Sequence, residues 1–144
     1  MSAKPIPEGF HTVTPYLTVT DAARQIEFLE KAFNARVKFK MENEGGEIRH
    51  AEVQVGDSML MIGQAGGPWQ PMPTNFYLYV PDCDALYRSA LAAGAKTLQE
   101  PANQFYGDRM GGVEDSQGNK WWIGTHVEDV SEEEMERRMK AMAH

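Results

Sequence analysis

One short pattern occurs twice in the chain, and this repeat constrains the fold more than any other feature of the sequence. Residues 16–21 read YLTVTD and residues 77–82 read YLYVPD, so the second copy begins 61 residues after the first. In each copy an alternating strand pattern leads into a helical pattern, and Asp21 or Asp82 stands where a helix N-cap belongs. The repeat therefore predicts two modules of the same construction.

The elements that follow each helix complete the module. Strand patterns follow the first and the second helix at residues 36–41, 47–55, 58–62, 97–99, 109–114 and 120–125. Gly56-Asp57 joins the second and third of these as a two-residue hairpin turn. Each half therefore reads βαβββ. We expect an α+β domain in which two such modules form an open, curved, eight-stranded sheet around a cleft, with an additional C-terminal helix.

We interpret the whole chain, residues 1–144, as a single domain. Ser131 and Glu134 form a capping box, and Met135, Met139 and Met142 recur at helical spacing. This pattern predicts a tail helix that packs on its own domain or across a dimer. The predicted parts are module 1 (residues 9–64), a linker rich in Gly and Pro (65–74), module 2 (75–126) and the C-terminal helix (127–144).

Composition excludes several classes of function. The net charge is −7 and Lys and Arg do not cluster, so nucleic acid is not an expected partner. No apolar run approaches the roughly 18 residues that a membrane span needs, and the N-terminus lacks the apolar segment of a signal peptide. The single cysteine, Cys83, excludes a disulfide framework and is typical of a reducing compartment. We therefore expect a cytoplasmic protein that contacts no membrane.

Each predicted strand separates into an apolar face and a polar, aromatic face. On the first strand Val13, Leu17 and Val19 form the apolar set, which we expect to pack beneath the helices. The opposite faces combine aromatic rings, methionines and a few polar groups, which is typical of ligand pockets. The candidate binding residues on these faces are Thr14, Tyr16, Met61, Asn75, Tyr77 and Trp122, and His50 and Glu52 lie among them.

Several short motifs accompany the repeat. They are His50-Ala51-Glu52, Gly56-Asp57-Ser58, QFYGDR at 104–109 and THVED at 125–129. Together with the paired modules, they resemble the vicinal oxygen chelate superfamily of glyoxalase I, bleomycin-resistance proteins and extradiol dioxygenases, and within it the PhnB-like branch. The resemblance covers about residues 9–126. It implies a homodimer, since members bury their open sheet edges by pairing or exchanging modules.

The resemblance also concerns metal binding. The metal enzymes of this superfamily place His, Gln or Glu ligands on the first and last strands of each module. The corresponding positions in this chain are Thr14, Met61, Asn75 and Trp122. None of these is a good ligand for a divalent ion, so we expect no metal and no other cofactor. A displaced site using His50 and Glu52 would need a third ligand that the sequence does not identify.

Three functions remain open. The first is a binding protein that sequesters or carries a small organic molecule, as bleomycin-resistance members of the superfamily do. The second is a metal-free isomerase or lyase in which His50 is the general base, and Glu52 or Arg109 orients it or holds an anionic substrate. The third is a metal-dependent glyoxalase or dioxygenase with a displaced site. A histidine hydrogen-bonded across strands is the structural alternative for His50.

The segment at residues 104–109 precedes a predicted hairpin, and we expect it to form a lid or wall in which Gln104 and Tyr106 contact the ligand. Arg109 ends this segment, and it either binds an anion or forms a salt bridge with an acidic neighbour. Residues 115–119 read as a turn with no further role, and His126 is expected to be structural.

Overall fold

The structure is a computed structural model that describes residues 2–142 of the chain, so residues 1, 143 and 144 of the predicted single domain lie outside it. Within this range the elements are β1 (Tyr16–Val19), α1 (Ala22–Phe33), β2 (Arg36–Glu42), β3 (Ile48–Val55), β4 (Ser58–Gln64), β5 (Asn75–Tyr79), α2 (Cys83–Ala92), β6 (Lys96–Asn103), β7 (Asp108–Glu114), β8 (Lys120–His126) and α3 (Glu132–Met142). None of the described helices is long and apolar enough to cross a membrane.

Both module helices begin as the sequence predicts. The Asp21 carboxylate accepts a hydrogen bond from the backbone N–H of Arg24 at 3.1 Å, and Asp82 accepts one from the N–H of Ala85 at 3.2 Å. Each bond satisfies one of the free amides in the first turn of a helix. Helix α1 ends at Asn34, whose left-handed φ of 56° turns the chain into β2. The two aspartates therefore fix where each module changes from strand to helix.

The strands form two four-stranded sheets with the same topology, β1-β4-β3-β2 and β5-β8-β7-β6. In each sheet the first strand pairs parallel with the last strand of its module, and the remaining pairs are antiparallel. The α+β class and the two βαβββ modules are thereby confirmed. Within the described residues the eight strands do not join into one continuous sheet, because the two modules meet through their helices.

One hydrophobic core serves both modules. Helices α1 and α2 pack against each other, and the apolar faces of both sheets pack against them. Trp121 of β8 is fully buried, and its ring stacks on Phe76 at 4.4 Å between centroids and contacts Phe33 of α1 at 5.3 Å. Since the two sheets turn their apolar faces toward this shared core, their polar faces lie on opposite outer sides of the chain.

A buried polar network also joins the modules. The Gln25 side chain on α1 donates to Asp115 Oδ2 at 2.9 Å and accepts from Asn119 Nδ2 at 2.8 Å, and the Trp121 indole N–H donates to the same Asp115 oxygen. Gln117 Oε1 accepts from the backbone N–H of Asp21 across the same junction. The interpretation of residues 115–119 as a turn alone was therefore wrong, because this turn carries the polar contact between modules.

The packing predicted for Val13 is wrong, and the packing of the tail helix across a dimer stays a prediction. Val13 is 80% exposed, because the sheet ladder ends at Pro15: the Pro15 carbonyl accepts from Met61 N–H, but proline has no N–H with which to continue. Helix α3 buries none of its described residues, and Met139 and Met142 are more than half exposed. Ser131 does cap this helix, since its hydroxyl accepts from the Glu134 N–H at 3.2 Å.

Candidate functional site

The outer surface of the first sheet, here called the module 1 face, collects four of the predicted residues. His50 and Glu52 on β3 lie directly opposite Gly63 and Met61 on β4, and directly opposed residues share one side of a sheet. Tyr16 reaches this side from β1, and its ring covers Gly63: a Cβ built on that glycine would lie 2.5 Å from the phenol oxygen. The face therefore places His50, Glu52, Tyr16 and Met61 next to one another.

An irregularity in β2 adds two apolar side chains to this face. The register with β3 shifts between Val37 and Phe39, so that Phe39 lies opposite Glu52 and Met41 lies opposite His50. A β-bulge of this kind turns the following residues to the other side of the sheet. Phe39 and Met41 are both about half exposed. The module 1 face is therefore wider and more apolar than alternation along a regular strand predicts.

His50 is held on this face by long contacts. Its Nδ1 lies 3.5 Å from the Tyr16 hydroxyl, and its Nε2 lies 3.8 Å from Glu52 Oε2. The second distance is beyond a hydrogen bond, so Glu52 does not fix the tautomer of the imidazole in this arrangement. The cross-strand contact to Tyr16 agrees with the structural alternative for His50. Its partly exposed ring remains accessible to a bound molecule.

The N-terminal segment covers one side of the module 1 face. Thr14 donates a 3.4 Å hydrogen bond to the carbonyl of His11 and lies next to Met61 and Glu52. Together these elements enclose a cavity of about 370 Å³, lined mainly by Pro5, Ile6, Phe10, Thr14, Glu52 and Met61. Thr14 therefore borders the module 1 face beside Glu52 and Met61, although it lies outside the sheet.

The outer surface of the second sheet, the module 2 face, repeats the tyrosine arrangement. The ring of Tyr77 covers Gly124 as Tyr16 covers Gly63, with its oxygen 2.7 Å from where a Cβ of Gly124 would lie. Trp122 covers Gly112 in the same way and donates its indole N–H to Asn75 Oδ1 at 3.3 Å. In three places a ring therefore covers a glycine of the neighbouring strand, which is a recognised way to stabilise glycine in sheets.

A buried carboxylate organises one end of the module 2 face. Asp108, only 2% exposed, accepts hydrogen bonds from the hydroxyls of Tyr77 at 2.7 Å and Tyr79 at 2.8 Å and pairs with His126 Nδ1 at 2.9 Å. The other nitrogen of His126 contacts the exposed Asp129 at 2.7 Å. We call Tyr77, Tyr79, Asp108 and His126 the Asp108 cluster. Its four polar groups satisfy one another and hold both tyrosine rings in place.

Electrostatics follow from these contacts. Burial would raise the pKa of Asp108, but the hydrogen bonds from His126, Tyr77 and Tyr79 outweigh burial and hold the pKa below its usual range. Hydrogen bonds to Asp108 and Asp129 raise the pKa of His126 above its ordinary value. Burial, with the neighbouring Tyr106 and Asp108, raises the pKa of Tyr77. These shifts favour the charged forms of Asp108 and His126 and the neutral phenol of Tyr77.

Arg109 lies on the other side of β7 from Asp108. Its guanidinium donates two hydrogen bonds to the Asp84 carboxylate on α2, at 2.7 Å and 3.0 Å. The hydrogen bonds from Arg109 lower the pKa of Asp84 to about 2. The structure therefore does not bring Arg109 together with His50 and Glu52, and the contact observed is the salt bridge that the sequence left as one of two alternatives.

The loop before β7 is short and anchored at both sides. Gln104 donates its side-chain N–H to the carbonyl of Ala102 at 3.1 Å, and Tyr106 lies beside Tyr77. Arg138 of α3 donates to the carbonyl of Phe105 at 3.0 Å. Gly107 adopts a φ of 100°, and the backbone of Glu128 lies against it where any Cβ would collide. This loop forms a fixed wall beside the module 2 face.

The fold and these two faces define the class of protein: two βαβββ modules, each with an open sheet whose outer face carries aromatic rings. The chain belongs to the Glyoxalase/Bleomycin resistance protein/Dioxygenase superfamily, because the sequence model of that family matches residues 9–123. An uncharacterized protein of Mycobacterium bovis is 31% identical over 140 residues, which cover 90% of this chain and 92% of that protein.

Solved structures agree with this assignment. TioX from Micromonospora sp. ML1 has a TM-score of 0.71 and 25% identity, with 81% of this chain and 99% of TioX covered. The PhnB protein of Bacillus cereus has a TM-score of 0.64 and 15% identity, covering 80% of this chain and 99% of that protein. The resemblance to the superfamily, with PhnB among its structural neighbours, is thereby confirmed.

The side chains present do not fit the divalent ion that metal enzymes of this superfamily use. Asn75 is bonded to the Trp122 indole and Thr14 to a backbone carbonyl, and Met61 offers only a thioether. Within residues 2–142 no three His, Cys, Asp or Glu side chains are grouped so as to hold a metal. His50 and Glu52 thus gain no third ligand of these types from the described fold.

Several residues of these faces were not identified from the sequence. Asp108, Tyr79 and His126 form a cluster because β8 lies between β5 and β7 in the sheet. No local sequence motif predicts that strand order. The one available signal is that Tyr79 shares the strand face of Tyr77. Trp69 and Arg49 also border the module 1 face. Trp69 lies in the linker, where alternation carries no prediction, and Arg49 lies where the β2–β3 register shifts between Met41 and Glu42, so that alternation along β3 does not place it.

Proposed function

We propose that this protein binds a small organic molecule without a metal ion, in clefts that form when two copies of the chain associate. The observation that carries the proposal is the orientation of the two faces. Each chain presents two polar, aromatic faces that lie on opposite outer sides of one core, so a single chain does not close a cleft. A second copy would place its module 2 face opposite the module 1 face of the first, and the reverse.

The edge of the second sheet supports association. Strand β5 lies at the end of its sheet and leaves a row of backbone groups for another strand to pair with. Beside it runs an apolar groove of about 610 Å³ between the modules. Its apolar lining includes Val55, Leu60, Phe76, Leu78, Val80 and Leu86. A dimer that covers this groove would pair the open edge of β5 and would also bury the exposed apolar side chains.

The chemistry of the faces supports an organic ligand. The rings of Tyr16, Tyr77 and Trp122 pack on glycines of the neighbouring strands, so each is held in place on its outer face. Pockets for small molecules are mostly apolar and aromatic with a few placed polar groups. Such a site can sequester a ligand without any catalytic group. Bleomycin-resistance proteins are named in the description of the superfamily.

A thermal-shift screen of small aromatic and polar compounds tests this proposal, because a ligand that binds only the folded state raises its melting temperature. We expect compounds that stabilise the protein equally before and after exhaustive dialysis against EDTA. Calorimetric titration should give one site per chain, and Tyr77→Ala should weaken binding at least tenfold while Lys38→Ala, on exposed β2, should not. Binding that disappears after dialysis and returns with a divalent ion would contradict the proposal.

The second candidate is a metal-free enzyme with His50 as base. The accessible imidazole on the module 1 face, near Tyr16 and Glu52, is the feature that favours it. His50→Ala separates the two, because under the binding proposal no product forms from a screened compound with either protein. If wild type converts a bound compound and His50→Ala binds it without turnover, the enzyme interpretation replaces sequestration.

A further inference from the structure

The linker between the modules presents an exposed tryptophan in a fixed position. Gly66 and Trp69 exchange two backbone hydrogen bonds, at 2.9 Å and 3.0 Å, across a two-residue turn. Gly67 has a φ of 55°, which favours glycine, and Pro68 has a fixed φ, so the turn is rigid. Trp69 is nevertheless 70% exposed. A rigid turn that holds a large ring in solvent is costly unless something covers that ring.

Trp69 borders a cavity of about 510 Å³ at the edge of the module 1 face. The cavity is lined by Tyr16, Thr18, Arg49, Gly63, Gln64 and Trp69. The linker is fastened alongside, because Met72 N–H donates to the carbonyl of Thr18 at 3.0 Å. The volume lies within the range of small-molecule sites. The two aromatic residues in this lining come from different segments, β1 and the linker turn.

Few polar groups in this cavity are free to meet a ligand. The Gln64 side chain is engaged at the start of α1, where it accepts from the N–H of Ala22 and donates to the carbonyl of Thr20. Gly63 contributes only backbone beneath the Tyr16 ring. The Thr18 hydroxyl and the Arg49 guanidinium therefore supply the polar chemistry, and none of the described residues that line the cavity is acidic.

Arg49 is half engaged. Its Nη1 donates to Glu47 at 2.8 Å, and the two side chains are 44% and 59% exposed. Its Nη2 lies 3.6 Å from where a Cβ of Gly66 would be, at the base of the turn that carries Trp69. A guanidinium has five N–H donors in a plane and binds carboxylates through two of them. The edge near Gly66 is the part of Arg49 that a ligand in the cavity would meet.

We infer that this cavity binds a planar aromatic molecule that carries a carboxylate, with the ring against Trp69 and Tyr16 and the carboxylate on Arg49. The inference rests on the proposed function, because it names the ligand class for part of the module 1 face. A ring packed against two aromatic side chains gains apolar burial and favourable ring geometry. The acid-free lining and the arginine favour an anionic group over a cationic one.

A matched pair of probes tests the inference on the full chain: 2-naphthoate, and its neutral counterpart 2-naphthamide. Binding is measured by calorimetry and by the indole N–H signals of the three tryptophans in ¹H–¹⁵N NMR spectra. We expect naphthoate to bind at least tenfold more tightly than the amide and to shift the Trp69 signal, but not that of buried Trp121. Trp69→Leu should weaken both probes about tenfold.

Arginine variants identify the anion contact. Arg49→Gln should weaken naphthoate about tenfold and leave the amide unchanged, whereas Arg36→Gln, at the exposed beginning of β2, should change neither. Equal affinity for the two probes, failure of naphthoate to bind, or indifference to Trp69→Leu and Arg49→Gln would each overturn the inference. If screened compounds of another class still bind and respond to Tyr77→Ala, the proposed function stands and only the ligand class is wrong.

Discussion

Tyr77 donates a hydrogen bond from its phenol to Asp108 at 2.7 Å, across a strand that lies between them. The bond crosses β8 at Gly124, the one residue type there that leaves room for the ring. Module 1 has the same geometry, in which Tyr16 crosses Gly63 toward His50. The repeated tyrosine and glycine thus set the positions of the rings on both faces. The modules differ in the partner of the phenol, which is Asp108 in module 2 and His50 in module 1.

Gly124→Ala tests this arrangement. A methyl group there would meet the Tyr77 ring at less than contact distance, so the ring must leave Asp108. We expect a loss of about 1–3 kcal/mol in the free energy of unfolding, measured by urea titration. The control is Gly45→Ala, where the nearest atom is 3.5 Å away. A glycine-to-alanine change in a strand otherwise tends to stabilise by restricting the unfolded chain, so a stabilised Gly124→Ala would contradict the arrangement.

Asp115→Ala removes the centre of the network between the modules. The change leaves the side chains of Gln25 and Trp121 without their acceptor in a buried site. We expect the free energy of unfolding to fall by about 3–5 kcal/mol, because several buried donors lose their acceptor together. Ser116→Ala, in the same turn, should change stability by less than about 0.5 kcal/mol. Similar small effects for both variants would show that the modules do not depend on this network.

The Asp108 cluster predicts a pH window for stability. The raised pKa of His126 means that its contribution is complete below the ordinary histidine value and is lost as pH rises through the folded pKa. The lowered pKa of Asp108 means that its contribution is lost only as pH falls through that lower value. His126→Gln should therefore lower the urea midpoint most at about pH 5–6, and the difference should shrink toward about pH 9.

The control for this pH effect is His11→Gln, on the exposed N-terminal segment. Asp108 and Asp129 are the charged groups that face His126, so Asp129→Asn should reduce the pH-dependent difference without removing it. A midpoint difference between wild type and His126→Gln that is the same at every pH would mean that the imidazole contributes by packing alone.

Arg109→Gln separates the ion pair from ligand binding. The side chain contacts Asp84 on the helix side of β7, away from both outer faces. We expect a lower melting temperature, and an affinity for screened ligands within about twofold of wild type. Calorimetric titration beside Tyr77→Ala measures the contrast. A tenfold loss of affinity with Arg109→Gln alone would restore Arg109 as a ligand-binding residue.

Much of the fold could be predicted because its signals are local. The aspartates at 21 and 82, the Gly56-Asp57 turn and the alternation around Leu17 or Trp121 are each determined by neighbouring residues. The exposed position of Val13 was missed because strand pairing ends at Pro15, and the pairing depends on β4, more than forty residues further along the chain. The alternation of apolar and polar residues extends back to Val13, whereas the hydrogen bonds between β1 and β4 do not.

The candidate site was only partly predictable. Alternation placed His50, Glu52 and Tyr77 on the faces opposite the apolar sets, but it does not reveal that Asp108 contacts Tyr77, because that contact depends on the strand order. The sequence predicts only a turn at residues 115–119, yet the side chain of Asp115 is buried against Gln25, ninety residues away in the chain. Contacts between modules leave no periodic trace in a sequence, so only the assembled fold reveals them.

The most direct test of the central claim mixes two disabled chains. Tyr16→Asp damages only the module 1 face and Tyr79→Asp only the module 2 face, so each variant alone should fail to bind a compound selected in the screen. If clefts form between two copies, co-refolding equal amounts makes half of the dimers mixed, each with one intact cleft, and calorimetry should recover about a quarter of the wild-type sites. No recovered binding in a mixture shown to contain mixed dimers, or full binding by either variant alone, would contradict a cleft shared by two chains.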